Sequence, residues 1–139
     1  MALRLIPHIH RATHRIGLHI AGLEDPAVNQ AEAHVLAHLA HAGESTIGEV
    51  HRAFGHKRST LTSILDRLVE RQLIARTSDD RDRRTFVVSL TRTGRAAARR
   101  VLNHLEALER RALQTAAPSD VRAFLRVLER FEGTESNDE

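Results

Sequence analysis

Cysteine is absent from the 139 residues of this chain. Disulfides, thiolate catalysis, thiol-based redox sensing and cysteine-ligated zinc are therefore excluded. Tyrosine is missing and lysine occurs once, so little titrates between histidine and arginine. The isoelectric point near 10.8 accordingly overstates a net charge of only +3. No stretch of eighteen apolar residues exists to span a membrane, and the N-terminus lacks a cleavable signal pattern, so a cytoplasmic location is expected. Gly-x-Ser-x-Gly and glycine-rich phosphate loops are absent too, which argues against an enzyme; no cofactor is expected. Repeats and low-complexity segments are lacking, and the length suits one domain with a sizeable core.

What the chain does hold is an uneven charge distribution. Residues 52–100 carry thirteen Lys/Arg (twelve arginines and Lys57) against five Asp/Glu, a net of +8. Everything else carries eight against thirteen, a net of −5. Positive charge concentrated on an otherwise acidic chain is the footprint of a polyanion-binding surface, whereas an even scatter would only aid solubility.

Hydrophobic spacing divides the chain into elements. Leu5, Ile9, Ala12, Ile16 and Ile20 recur at helical steps until Pro26 breaks the pattern. Asn29 with Glu32, and Thr46 with Glu49, form capping boxes that open a second and a third helix. Gly43 ends the second helix, and Gly55 marks a turn after the third. A fourth helix is predicted over 57–71, with Leu61, Ile64, Leu65 and Leu68 inward and Arg58, Ser59, Thr62, Ser63, Asp66 and Arg67 outward. "LIARTS" and "TFVVSLT" are strand-like runs flanking "DDRDRR", and the period-two spacing of Phe86, Val88 and Leu90 predicts one face against a core. Thr91 caps a long helix striped by Ala98, Leu102, Leu105, Leu108 and Ala112. Pro118 suits the first turn of a last amphipathic helix carrying Val121, Phe124, Leu125, Leu128 and Phe131. The expected order is α-α-α-α-β-β-α-α, a mainly α fold with a small β-hairpin wing.

The third and fourth helices, joined by a tight glycine turn, have the form of a helix-turn-helix whose second helix reads the groove. Its outward hydroxyls and arginines are side chains that reach base edges and phosphates. At the hairpin tip, Asp79, Asp80 and Asp82 nearly balance Arg81, Arg83 and Arg84. Taken alone, the tip reads as a solvated turn that keeps an edge strand soluble. Taken with the helix pair, it reads as a wing. An arginine would enter a narrow minor groove, directed by a neighbouring aspartate through a charge-assisted hydrogen bond.

From about Val35 to Gly94 the sequence resembles the MarR family of bacterial transcriptional regulators. "TIGEVHRAFGHKRSTLTSILDRLVERQLIART" resembles its helix-turn-helix, and "DRRTFVVSLTRTG", 82 to 94, its wing signature of Asp, any residue, Arg, then an apolar strand ending Leu-Thr-x-x-Gly. The resemblance implies a winged helix-turn-helix with Ser59, Thr60, Thr62, Ser63 and Arg67 on the recognition helix. It places Arg84 at the wing tip with Asp82 beside it as the orienting residue. With Lys57, Arg58, Arg81 and Arg83 added from the basic stretch, these form the expected DNA-binding set. One domain is expected over 1–139: a winged core at 28–94, dimerisation helices within 1–24 and 95–132, and an acidic tail at 133–139. The implied partners are a second copy of the chain, a pseudo-palindromic double-stranded operator, and a small, often phenolic or otherwise lipophilic, effector that relieves repression. Two departures from the family stand at helix ends. Lys57 replaces the usual capping Ser or Asp and adds a phosphate contact, and Gln72 replaces a frequent Gly.

Ten histidines raise a rival chemistry. His10 with His14, and His34 with His38 and His41, have the i, i+4 and i+7 spacing that sets metal ligands on one helix face. Without cysteine or an H-E-x-x-H arrangement, a metal-responsive regulator or metal-binding protein stands as the alternative reading. A winged helix used as a protein-interaction module is the other, and its groove-facing surface should lack the basic excess seen here.

Overall fold

Asn29 Oδ1 accepts the Glu32 N–H at 2.8 Å while Glu32 Oε1 accepts the Asn29 N–H at 3.1 Å. Thr46 and Glu49 repeat the exchange at 3.1 and 3.2 Å. Each pair satisfies N–H groups that a helix start leaves bare, and so sets where α2 (Gln30–Ala42) and α3 (Ile47–Phe54) begin. The computed structural model describes residues 2–82 and 84–133. Around α2 and α3 it places α1 (Ile6–Ala21), β1 (Ser45–Thr46), α4 (Arg58–Glu70), β2 (Ile74–Ser78), β3 (Phe86–Leu90), α5 (Arg92–Ala112) and α6 (Pro118–Glu132). The six helices and the hairpin follow the expected order.

One strand was not anticipated. β1 pairs antiparallel with β3 through Ser45↔Val88 and Thr46↔Val87, so the sheet order is β1-β3-β2. Two residues are too few to show a period, and Thr46 already serves as a helix cap. Because β3 is the central strand, Val87 and Val88 are both buried. Phe86, expected on the core face, is exposed instead. It pairs with Ser78 at the far end of the hairpin, past the reach of β1, and the Arg76 guanidinium lies 6.0 Å from its ring centre.

The chain divides into two units, 1–103 and 104–139. In the first, Ile20, Val35, Leu36, Val50, Leu65, Leu68, Val88 and Val101 are fully buried and join α1 through β3 to the start of α5. The end of α4 enters the hairpin through a left-handed residue, Gln72 at φ 61. The start of α5 is tied to the same place. Thr91 Oγ1 accepts the Gly94 N–H at 2.9 Å and donates to the Gln72 carbonyl at 2.6 Å, and the Thr91 N–H donates to the Leu73 carbonyl at 3.1 Å. A Cβ at position 94 would overlap the Leu73 carbonyl oxygen. The Leu-Thr-x-x-Gly run is thus a helix cap docked on the base of the hairpin, and only glycine leaves room for it. In the second unit, α6 has no buried residue, and Phe124, Leu125 and Phe131 are exposed. Among the described residues no helix is long and apolar enough to cross a membrane.

Candidate nucleic-acid interface

α3 ends at Gly55, left-handed at φ 63, whose N–H donates to the His51 carbonyl at 2.9 Å. Two residues later α4 starts from Lys57, which offers no side-chain cap. An ammonium has no lone pair for the first-turn N–H groups, so this helix start carries positive charge where a Ser or Asp would have neutralised it. Leu61, Ile64, Leu65 and Leu68 are buried on one side of α4. Lys57, Arg58, Ser59, Thr60, Thr62 and Ser63 are all exposed and lie together on its first two turns. Ser59, Thr62, Ser63, Asp66 and Arg67 continue as a single stripe at helical spacing.

The lower end of that stripe is engaged within the protein. Asp66 accepts from Arg76 of β2 at 2.9 Å, which braces the recognition helix against the wing. Arg67 Nε lies 3.9 Å from Glu32 of α2. Arg76 had not been singled out in the sequence. The available signal was a lone cation alternating with Ile74 on the inward face of a strand, where it needs a partner.

Between α3, the first turns of α4 and the wing runs a groove of about 650 Å³. His51, Arg52, Arg58, Thr62, Arg84 and Thr85 are among its lining residues. The recognition helix and the wing therefore bring their cations to one concavity, with His51 and Arg52 of the last turn of α3 added to those expected. On the opposite side of the hairpin, Glu44, Glu49, Asp79, Asp80 and Arg81 border a second hollow of about 560 Å³. The mixed charges of the tip are thus sorted by side.

The tip is built from one device used twice. Asp79 Oδ1 accepts the Arg81 N–H at 3.1 Å and lies 3.6 Å from its Nε. Asp82 Oδ1 accepts the Arg84 N–H at 3.0 Å and its Nε at 3.3 Å. Each aspartate makes an Asx turn with the residue two ahead and holds that residue's guanidinium. The Asp82 carboxyl is held below the ordinary carboxylate range, first by the Arg84 backbone N–H and then by its side chain. Arg84 itself is almost fully exposed. Arg83 and the tail from 134 onward lie outside the described residues.

The histidine candidates do not converge. His10 and His14 are exposed on α1 beside Arg11 and Arg15, two cations that would oppose a metal ion. His34 is half-buried, and burial pushes its imidazole below the usual histidine range. The His38 ring packs edge-on against Phe54 at 5.4 Å. Among the described residues no three His, Asp or Glu side chains come together as ligands.

Topology and site together define a winged helix-turn-helix protein with a basic groove between recognition helix and wing. Residues 27–85 match the MarR family. The chain is 34% identical over 94 residues, 68% of its length, to the HTH-type transcriptional repressor MdtR of Bacillus subtilis (strain 168), and covers 61% of that protein. It thus spans about three fifths of the length of that relative. Among solved structures it superimposes with a TM-score of 0.76 and 22% identity on Bordetella bronchiseptica BpsR, described for regulation of its DNA binding by 6-hydroxynicotinic acid; 97% of this chain and all of that one are covered. It superimposes at 0.75 and 22% identity on a mutant MarR from E. coli complexed with operator DNA, covering 92% and 91%. Those two likenesses concern the fold. The chain belongs to the MarR family.

Proposed function

We propose that the protein is a sequence-specific transcriptional regulator that binds duplex DNA as a homodimer and represses until a small molecule releases it. The observation that carries this reading is the groove in which Arg52 and Arg58 of the helix pair meet Arg84 of the wing. The first two turns of α4 enter the major groove. Ser59, Thr60, Thr62 and Ser63 reach base edges there, while Lys57 and Arg58 meet phosphates. Arg84, directed by Asp82, enters the adjacent minor groove, and Arg81 and Arg83 add charge along the backbone. The relatives support this: one is named a repressor, one was solved on operator DNA, and one is regulated by a small aromatic acid.

The apolar residues left exposed on α6, and Leu5, Ile6 and Leu18 left exposed at α1, support helices at both ends that pack against a second copy. A two-fold dimer would set its recognition helices in successive major grooves of a pseudo-palindrome. The whole chain then acts as one domain, its winged core at 28–94 flanked by dimerisation helices. Duplex affinity titrated against salt tests the reading. Five to eight phosphate contacts per dimer give a log–log slope of about −4 to −7. A slope near zero, or no duplex binding at low salt, would overturn it.

A further inference from the structure

Glu32 is a charged residue buried to the level of the core, 5% exposed. Its Oε1 serves the capping box of α2. Its Oε2 faces two cations of the recognition helix, Arg67 Nε at 3.9 Å and Arg71 Nη1 at 3.8 Å. The cap does not require a charge, since glutamine performs it equally well. A carboxylate withdrawn from water does require compensation, and these two guanidiniums supply it. They stand one turn apart on α4, with side chains 48% and 39% exposed, so each is tethered to α2 yet reachable from solvent. Among the described residues no acidic side chain lies within ion-pair distance of Lys57 or Arg58 at the other end of the same helix.

We infer that Glu32 is a specificity-determining residue: it occupies Arg67 and Arg71 so that the recognition helix offers free positive charge only at its first turn. This rests on the duplex-binding reading above. The N-terminal turns of a recognition helix meet base edges, whereas cations further along it meet phosphates. Phosphate contacts raise affinity for every sequence alike and carry no information. Neutralising the last turn of α4 from behind therefore lowers binding to random DNA while leaving the reading end of the helix untouched.

The test is Glu32→Gln, which keeps the capping box and removes the charge. Binding to a random-sequence duplex is followed by fluorescence anisotropy across a salt series. The expected slope is steeper than wild type by about 1 to 2 per protomer, with roughly tenfold tighter random binding at 0.1 M salt. Adding Arg71→Gln to Glu32→Gln should take back about 1 of that slope. In the wild-type background Arg71→Gln should leave the slope unchanged, whereas Arg58→Gln makes it shallower by about 1. If Glu32→Gln does not fold, the comparison of Arg71→Gln with Arg58→Gln decides alone, because both leave the cap intact. A steep wild-type slope on which Glu32→Gln superimposes, or an Arg71→Gln slope as shallow as that of Arg58→Gln, overturns the role of Glu32 only. A wild-type slope near zero overturns the duplex-binding reading and this one with it.

Discussion

Replacing Gln72 by glycine should make the protein more stable. Gln72 closes α4 in a Schellman arrangement: its N–H donates to the Val69 carbonyl at 2.9 Å, and the next N–H, of Leu73, reaches back to Leu68 at 3.0 Å. That geometry places Gln72 at φ 61. For a residue with a Cβ the left-handed region costs about 1–2 kcal/mol. Glycine removes that cost but raises the entropy of the unfolded chain, which offsets about 0.4–1 kcal/mol. The glutamine side chain is exposed and makes no hydrogen bond among the described residues, so little packing is lost. The carbonyl that accepts the Thr91 hydroxyl at 2.6 Å is backbone and stays in place. The net gain is about 0.5–1 kcal/mol, or a rise in Tm of about 2–5 °C for a domain of this size. Thermal unfolding followed by circular dichroism measures it, at one fixed protein concentration because association shifts apparent stability. Gln72→Ala is the control, since it deletes the same side chain and keeps the Cβ. A lower Tm for Gln72→Gly, or an equal rise for Gln72→Ala, would refute the assignment of strain to this residue.

Other substitutions probe the remaining links. Gly94→Ala must push the start of α5 off the Leu73 carbonyl; a loss of about 1–3 kcal/mol is expected in urea unfolding, and an unchanged midpoint would show that the docking is loose. Arg84→Ala should lose about 1–3 kcal/mol of duplex affinity per contact. Asp82→Ala should weaken binding as well, although it removes a negative charge beside DNA; tighter binding by that variant means the aspartate does not orient the arginine. His34 has its pKa lowered by burial, so below the ordinary histidine value of 6.5 the unfolded chain takes up a proton that the folded chain resists. Its contribution is therefore complete above that pH and is lost as pH falls further, and His34→Gln should flatten the acid side of the Tm–pH curve; identical curves would refute this. Leu125→Asp leaves a lone chain almost unaffected but costs several kcal/mol if that face is buried between copies. Sedimentation showing it still dimeric at micromolar concentration places the interface elsewhere.

The features legible in the sequence are those whose partners lie within one turn or one period. Asn29 and Glu32, like Thr46 and Glu49, are three residues apart, so their reciprocal hydrogen bonds follow from local geometry alone. The inward side of α4 follows from helical spacing, and the hairpin from two strand-like runs around a charged tip. Features that depend on how elements cross were not legible. β1 exists only because the loop before α3 meets Val87 and Val88, more than forty residues further on. Phe86 has the period of a core residue but stands past the end of that pairing, and so it is exposed. Asp66 reads as one more outward polar residue until packing brings Arg76 within 2.9 Å. Glu32 reads as half of a cap until α4 crosses α2 and sets Arg67 and Arg71 beside its second oxygen. A capping box needs only the backbone turn it sits on, whereas a carboxylate shared between two helices needs the angle at which they pack. That angle is set by the whole core at once, so no local run of residues records it.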